Sequence, residues 1–315
     1  MPVFDSPILN GQRLNIAVIG TGIAGMSAAW LLSQGHNVTV YEKEPRPGGH
    51  SNTVDAATAA GSVPVDTGFI VYNERNYPNL TAMFHHLNVR TKDSDMSFAA
   101  SLDNGRLEYA GTDLNGLLGQ RRNLLRPRFW RMIRDLLRFY RDAPGHLDDE
   151  ELAGLSLGDY LAANRYSDAF IEDHLLPMGA AIWSTTAQEM RAYPAVAFIR
   201  FFVSHGLLTL TDRPQWRTVD GGSREYVKRL TKPYREHIHY GGVREVTRYP
   251  GKVLVLANDG DCRTFDHVVM AAHADQTYAM LRDRDAREED LLGARTYTDN
   301  RAVLHTDPSL MPKRR

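Results

Sequence analysis

The sequence predicts an α/β protein with a Rossmann-like dinucleotide-binding domain, and three segments near its start support this fold. Ile16–Ile19 is a short apolar strand, Met26–Ser33 is a helical run of small and apolar residues, and Asn37–Tyr41 is a second strand. The turn between the first strand and the helix carries glycines spaced as G-x-G-x-x-G. The order of strand, glycine turn, helix and strand, more than the glycines alone, indicates dinucleotide binding.

Each glycine of this turn has a physical role. Gly20 permits the tight turn, Gly22 lets the backbone approach a pyrophosphate, and Gly25 lets the helix pack closely on the strand. The helix start at Ile23 and Ala24 offers unpaired N–H groups and a partial positive charge to the phosphates.

An acidic residue, Glu42, lies 22 residues after Gly20, where this fold places its ribose-binding carboxylate. The carboxylate can accept both ribose hydroxyls and would repel a 2′-phosphate. We therefore expect an ADP-containing cofactor on the glycine turn and Glu42, with the neighbouring Lys43 also in contact. The alternative is a glycine-rich turn without a ligand.

A second glycine pair follows directly, in Arg46-Pro47-Gly48-Gly49-His50. A plain nicotinamide-binding unit has no such pair. Here the chain resembles the superfamily of flavin-dependent amine oxidases and carotenoid desaturases, whose signature is G-x-G-x-x-G, an acid and then R-x-G-G-R. The chain has His50 where that superfamily usually has arginine. The resemblance implies FAD, bound extended, with its ADP half on Gly20–Gly25 and Glu42.

The resemblance also implies an FAD-binding domain of the glutathione-reductase-2 type with an inserted α+β substrate domain. We expect residues 1–75 and 216–275 to form the FAD-binding domain and residues 76–215 the substrate domain. Residues 276–315 would begin an incomplete return to the substrate domain, with a strand starting at Ala302–His305. Relatives continue past this position into a second flavin-contacting segment, so the resemblance implies a C-terminally truncated chain.

Three later segments correspond to flavin-binding segments of the superfamily. In Asp66-Thr67-Gly68-Phe69-Ile70, a D-x-G pattern would bring Gly68 and Phe69 against the flavin ring; the alternative is a simple hairpin turn. Val219-Asp220-Gly221-Gly222 resembles a V-x-G-G segment that leads into a helix. Val243, in Gly242–Val246, would contact the adenine through its backbone.

The remaining patterns predict further helices and strands. A hairpin is expected from Ser51–Asp55 and Val63–Asp66, and a strand pair over Ser94–Tyr109 that turns at Asp103–Gly105. Phe265–Ala272 is expected to rejoin the central sheet. The predicted helices are Leu80–Leu87, Asn115–Tyr140, Ser156–Asn164, Ala195–Leu210, which we expect to be buried, and Ser223–Leu230.

Two surface or core features leave alternatives open. Residues 121–141 carry arginines at helical spacing, which is typical either of a solvated face, the favoured interpretation, or of a peripheral membrane contact. Aromatic residues are concentrated in the second feature, which is equally typical of an apolar substrate tunnel and of a packed core. These residues are Trp183, Tyr193, Phe198, Phe201 and Phe202.

The composition excludes several classes of protein. A net charge of −1 over 315 residues argues against a general nucleic-acid binder. The single cysteine, Cys262, cannot form an internal disulfide, which favours a reducing cytoplasm. No signal peptide or membrane span is predicted. The pairs His85-His86 and His237-x-His239 are read as structural, so no metal is expected.

These observations predict an FAD-dependent oxidoreductase that takes a hydride from an organic substrate onto the flavin. Many amine oxidases place a lysine near the flavin, but Lys313 is the only lysine after Lys252, so an apolar acyl or isoprenoid chain is slightly preferred over an amine. The substrate is thus a small or lipid-like molecule, and no catalytic base is identified. The alternatives are a degenerate, non-catalytic nucleotide-binding protein and an NAD-dependent dehydrogenase.

Overall fold

The computed structural model describes residues 11–96, 98–111, 114–209, 213–297, 299 and 302–311. The strands are β1 Asn15–Ile19, β2 Asn37–Glu42, β3 Thr53–Thr58, β4 Gly61–Asp66, β5 Tyr72–Asn73, β6 Thr91–Ser94, β7 Ala99–Leu102, β8 Leu107–Ala110, β9 Trp216–Val219, β10 Ile238–Tyr240, β11 Val243–Tyr249, β12 Lys252–Ala257, β13 Cys262–Phe265 and β14 His267–Met270.

The α-helices are α1 Ile23–Leu32, α2 Pro78–His86, α3 Leu114–Leu117, α4 Pro127–Asp142, α5 Leu157–Ala163, α6 Asp168–Phe170, α7 Leu176–Trp183, α8 Ala187–Ala192, α9 Ala195–Ser204, α10 Arg224–Thr231, α11 Ala274–Met280 and α12 Ala286–Gly293. Short 3₁₀ turns span Arg121–Leu125, Gly145–Asp148, Glu150–Gly154, Lys232–His237 and Pro308–Leu310, and Ile171–Leu175 is π-helical.

A four-stranded parallel sheet in the order β10-β2-β1-β14 is the centre of the first part of the fold. In β1, residues Ile16–Ile19 are all buried, as expected of a strand covered on both faces. Helix α1 connects β1 to β2, and the parallel pairing of those strands is the βαβ unit that the sequence predicts. The predicted α/β class is therefore confirmed, and β14 joins the sheet within the segment expected to do so.

The other sheets are small and antiparallel where their pairing is described. Strands β11, β12 and β13 form a meander, β3 pairs with β4, and β7 pairs with β8 through Asp103-Asn104-Gly105, all three with positive φ. Strand β9 lies between β5 and β6. Both predicted hairpins are thus present.

The described residues divide into two compact units. The first contains the parallel sheet and the meander and is drawn from Met1–Val71, Asn79–Lys92 and Thr218–Ala302. The second is largely helical and is drawn from Tyr72–Pro78, Asp93–Arg217 and Val303–Arg315.

The prediction of a single helix over Asn115–Tyr140 is wrong. Helix α3 ends at Leu117, a 3₁₀ turn follows, and α4 begins only at Pro127. Arg126, just before this proline, has extended angles of φ −103° and ψ 115°. The proline ring disfavours helical angles in the residue before it, so the helix must begin anew.

Two further expectations differ from the structure. The helix expected over Ala195–Leu210 ends at Ser204, close to Gly206, whose φ is +64°, and it is amphipathic rather than wholly buried because Arg200 and Val203 are exposed. Leu210 lies outside the described residues. Residues 302–305, expected to begin a strand, are exposed and form no strand.

The aromatic residues of the second unit form a packed core. Phe198 and Phe202 are fully buried and stack with 4.2 Å between ring centroids, and Trp183 lies 5.5 Å from Phe198. These rings fill space between helices α5, α7 and α9 together with Leu157. Close packing of this kind supports the core interpretation for these rings.

A buried histidine, His174, lies in the π-helical segment at the edge of this core. Tyr109 Oη is 2.9 Å from His174 Nδ1 and 2.7 Å from the carbonyl oxygen of Asp173. Both bonds form when the hydroxyl donates to the carbonyl and Nδ1–H donates to the hydroxyl. Nε2 then carries no proton, and it has no hydrogen-bond partner within the described residues. Burial lowers the pKa of His174 to about 4.

We expect His174 to make the protein less stable in acid. The histidine has a pKa near 6.5 in the unfolded chain, so as the pH falls from about 6.5 to about 4 the unfolded state takes up a proton that the folded state does not bind. The free energy of unfolding should fall over this window by up to about 3 kcal/mol. Urea unfolding across that pH range measures it.

The variant His174→Phe should remove this part of the pH dependence. The matched variant His85→Gln, at an exposed position of α2, should keep it. An equal pH slope in the wild type and in His174→Phe would show that His174 does not supply the acid sensitivity.

Candidate functional site

At Gly20 and Gly25, the first glycine turn is fixed by backbone contacts that leave no room for a side chain. Gly20 donates its N–H to the carbonyl of Tyr41 at 2.8 Å and has φ +102°. A Cβ on Gly20 would lie 2.6 Å from the carbonyl oxygen of Ala271, and a Cβ on Gly25 only 1.9 Å from that of Gly20. Both positions therefore require glycine for the fold itself.

Gly22 differs from the other two glycines because the space beside it is open. It has ordinary angles, φ −63° and ψ 178°, and a Cβ placed on it would meet nothing within 4 Å. It is the N-cap of α1 and has no side chain to accept the N–H groups of Ile23 and Ala24. Open space before uncapped helix N–H groups suits an anionic group such as a phosphate.

The acid at the end of β2 is buried and bound by its neighbours. Glu42 Oε2 accepts the backbone N–H of Thr21 at 2.9 Å and also the Thr21 hydroxyl, and Oε1 accepts the N–H of Glu44 at 2.9 Å. A carboxylate offers about four lone-pair positions, so about one, on Oε1, stays available. In this arrangement Glu42 can accept one further hydroxyl directly, rather than both ribose hydroxyls.

Thr21 connects the two glycine motifs to this acid. The N–H of Gly48 donates to the carbonyl oxygen of Thr21 at 3.0 Å and lies 3.2 Å from its hydroxyl oxygen. Sequence reasoning missed Thr21, which fills a variable position of G-x-G-x-x-G. A hydroxyl within an otherwise apolar and glycine-rich turn was the available signal.

The second glycine pair packs directly against the first motif. Gly49 has φ +56°, and a Cβ on it would lie 3.0 Å from the Cα of Gly22. Arg46 Nη2 donates to the carbonyl oxygen of Gly49 at 3.1 Å, and Gly48 has φ +123°. The structure thus brings Arg46, Gly48 and Gly49 together beside the open space at Gly22.

Gly68 and Phe69 lie against the backbone of His50. A Cβ on Gly68 would be 2.2 Å from the His50 carbonyl oxygen, which also accepts the N–H of Phe69 at 2.9 Å. The close approach permitted by Gly68 is therefore to His50. The ring of His50 is stacked with that of His273, with centroids 6.3 Å apart, and His273 stacks on Tyr297 at 4.3 Å.

The start of α10 is capped by a carboxylate from the hairpin. Asp66 accepts the N–H of Ser223 at 2.9 Å and its hydroxyl at 2.8 Å, and it also accepts the hydroxyl of Thr53 at 2.6 Å. Gly222, with φ +87°, lies so close to Thr53 that a Cβ would be 2.4 Å from its methyl carbon. This V-x-G-G turn is therefore occupied by protein groups, unlike the turn at Gly22.

A glycine pair before β11 returns the chain to Glu42. The N–H groups of Gly241 and Gly242 donate to the Glu42 carbonyl oxygen at 2.9 and 3.0 Å. A Cβ on Gly242 would lie 3.0 Å from that of Lys43. Val243 follows as the first residue of β11. The expected adenine-side residue thus lies near the acid, placed there by two glycines that the sequence reasoning did not assign.

Other reactive groups do not converge in the described part of the chain. No set of three or more His, Cys, Asp or Glu side chains could hold a metal there. His239 lies 3.0 Å from Arg263 and stacks on Tyr41, while Cys262 is exposed. None of the described helices is long and apolar enough to cross a bilayer.

Comparison with known proteins gives one family and a set of related folds. Residues 23–292 match the family of flavin containing amine oxidoreductases. The chain is 26% identical over 284 residues to carotenoid phi-ring synthase of Streptomyces griseus, covering 83% of this chain and 52% of that protein. The chain therefore spans about half the length of this relative.

Solved structures share the fold at low sequence identity. Putrescine oxidase bound to putrescine aligns with a TM-score of 0.65 and 17% identity, over 90% of this chain and 63% of the oxidase. A fatty acid isomerase from P. acnes that produces CLA aligns with a TM-score of 0.60 and 18% identity, over 89% and 63%.

The two glycines Gly22 and Gly25 should separate cofactor binding from folding. Because a Cβ at Gly22 meets no protein atom, Gly22→Ala should change the free energy of unfolding by less than about 1 kcal/mol. It should nevertheless weaken FAD binding at least tenfold, measured by flavin fluorescence titration. Unchanged affinity in Gly22→Ala would place the phosphates elsewhere.

The matched variant Gly25→Ala should destabilise the protein by about 2 kcal/mol or more, since its methyl group overlaps the Gly20 carbonyl. Chemical denaturation of both variants measures the contrast.

Thr21→Val should destabilise the first unit because it removes a hydroxyl bonded to the buried carboxylate of Glu42. We expect a loss of about 1–3 kcal/mol in urea unfolding. Thr21→Ser keeps the hydroxyl and should lose clearly less. Equal losses in the two variants would show that the hydrogen bond to Glu42 stabilises the unit no more than the packing of the Thr21 methyl group does.

Proposed function

Because the chain belongs to the family of flavin containing amine oxidoreductases, we propose that the whole protein is an FAD-dependent oxidoreductase that oxidises an organic substrate. Membership in this family identifies FAD as the cofactor and favours it over the NAD alternative. When bound, FAD supplies the redox chemistry by accepting a hydride from the substrate.

The observation that carries this proposal is the open space at Gly22, bounded by the second glycine pair and linked through Thr21 to Glu42. Glycines whose missing side chains leave room at an uncapped helix start fit a pyrophosphate. No side chain of the described residues fills that space, whereas the comparable turn at Gly222 is filled.

The proposed roles follow from position around this space. Gly20, Gly22, Ile23, Ala24 and Gly25 would hold the pyrophosphate, Glu42 one ribose hydroxyl, and Lys43 and Val243 the adenine side. Arg46, Gly48, Gly49, His50, Gly68 and Phe69 would form the flavin side. With these residues we assign the FAD-binding domain to 1–75 and 216–275, and the substrate domain to 76–215.

We propose a lipid-like substrate, an acyl or isoprenoid chain, in preference to an amine. The support is the relative named for carotenoid chemistry. The fold does not decide the question, because its solved examples include proteins named for an amine and for a fatty acid. The aromatic residues of the second unit are packed and offer no tunnel for this substrate. Residues 121–141 present a basic surface, and we include a peripheral membrane contact there in the proposal. The single cysteine favours a cytoplasmic location.

The test is a visible absorption spectrum of the purified protein before and after addition of FAD, followed by anaerobic mixing with candidate substrates. We expect oxidised flavin bands that bleach with an acyl or isoprenoid substrate, and weaker flavin binding in Gly22→Ala.

Bleaching by small amines alone would overturn the lipid-like substrate but keep the oxidoreductase. Bound flavin that no substrate reduces would favour the non-catalytic nucleotide-binding alternative. A protein that binds no FAD would contradict the proposed site.

A further inference from the structure

Residues 121–141 concentrate positive charge to an unusual degree for this chain. The segment holds eight arginines and one acid, Asp135, which gives a formal charge of +7, whereas the entire chain has −1. The rest of the chain is therefore net acidic. Such asymmetry indicates a partner of negative charge for this one surface.

Four of these eight arginines pair with three carboxylates within the protein. Arg128 pairs with Asp173, Arg134 and Arg138 with the buried Asp135, and Arg141 with Asp142. These four contribute little net charge to the surroundings.

The other four arginines, Arg121, Arg122, Arg126 and Arg131, have no carboxylate within 4 Å among the described residues. Arg122 donates to the carbonyl oxygens of Gly105 and Arg106 at 2.8 and 3.0 Å. Arg126 donates to the carbonyl of Arg106 and, at 3.2 Å, to the Asn123 amide oxygen. Neutral acceptors leave the charge of these guanidinium groups uncompensated.

Large apolar side chains stand among these arginines in contact with solvent. Leu125 is 87% exposed, Trp130 50%, Leu137 45% and Leu124 40%. The indole N–H of Trp130 donates to the Leu124 carbonyl at 2.8 Å, which holds the ring next to the 3₁₀ turn. Leu137 follows Trp130 by seven residues and therefore lies on the same side of α4.

The opposite side of α4 is already covered. Phe129, Met132, Leu136 and Phe139 are buried in the second unit. The helix thus presents one face to the protein core and a second, mixed apolar and basic face to solvent. We call Leu124, Leu125, Trp130 and Leu137, together with Arg121, Arg122, Arg126 and Arg131, the basic apolar face.

We infer that the basic apolar face docks onto the surface of an anionic phospholipid bilayer. Leucine and tryptophan side chains insert at the level of the headgroups, and arginines around them attract anionic lipids. Nucleic acid would use the arginines but leave Leu125 and Leu137 in water. A cavity of about 300 Å³ adjoins this face, and its lining includes Leu125 and Phe129, the arginines Arg106, Arg126 and Arg128, and Asp173, which is paired with Arg128. Arg126, which pairs with no carboxylate among the described residues, offers a place for an anionic headgroup. This inference extends the proposed function and rests on the lipid-like substrate proposed there.

The test is flotation of the full chain with vesicles of phosphatidylcholine, alone or mixed with phosphatidylglycerol. Flavin and substrate are omitted, so that the result does not depend on catalysis. We expect binding to the anionic vesicles only, weakened by added salt. Leu125→Ser, which removes the apolar side chain without changing the charge, should lower the affinity about tenfold, and Arg131→Gln roughly fivefold.

Matched controls come from α12, where Leu291 is 56% exposed and Arg287 is also exposed. Leu291→Ser and Arg287→Gln should bind as the wild type does. No binding to anionic vesicles, or equal loss in the α12 variants, would overturn the inference. Loss in Arg131→Gln with full binding in Leu125→Ser would also overturn it, because the surface would then recognise polyanions through charge alone. Flavin reduction in a protein that ignores vesicles would leave the proposed function intact.

Discussion

The first unit depends on how the buried carboxylate of Glu42 is satisfied. A buried charge is tolerated only when hydrogen bonds replace its hydration. Here the donors are the N–H and hydroxyl of Thr21 and the N–H of Glu44, all of them neutral groups. Because Thr21 also accepts from Gly48, both glycine motifs are held in register with the acid. The backbone carbonyl oxygen of Glu42 also accepts the N–H groups of Gly241 and Gly242. Directly and through Thr21, this residue thus connects three loops: the first glycine turn, the loop 43–52 and the turn at Gly241–Gly242.

Two turns in this unit have glycines before a helix, yet only one has the properties of a ligand site. At α10 the Asp66 carboxylate already accepts a hydrogen bond from the N–H of Ser223, and Thr53 fills the space beside Gly222. At α1, within the part of the chain that the structure describes, no side chain caps the helix and no atom fills the space at Gly22. The start of α10 is capped by protein groups, whereas the start of α1 is not. The start of α1 is therefore the one that can receive a phosphate.

Elements governed by local pattern could be predicted from the sequence, whereas contacts between distant segments could not. The βαβ unit and both hairpins follow from apolar periodicity and turn residues, whereas the return of β14 to the sheet was expected from the family resemblance. The error over Asn115–Tyr140 arose from weighing the arginine spacing above Pro127, which restarts the helix. At the site, the glycines and Glu42 lie in one short motif and could be assigned from the sequence alone. The roles of Thr21 and Asp66 depend on partners 21 and 157 residues away in the chain, and no local pattern encodes such pairings.

The order of strands in the parallel sheet also has a consequence for biosynthesis. Strand β1 pairs with β14, and Asn15 donates to Asp266 across 251 positions of sequence. A ribosome must therefore synthesise nearly the whole described chain before β1 gains its last neighbour, and until then one edge of that apolar strand has no partner. The second unit is drawn mostly from the continuous stretch Asp93–Arg217, so its segments are complete earlier. The unit that is begun first is thus finished last, and chaperones have the longest opportunity to bind at the unpaired edge of β1.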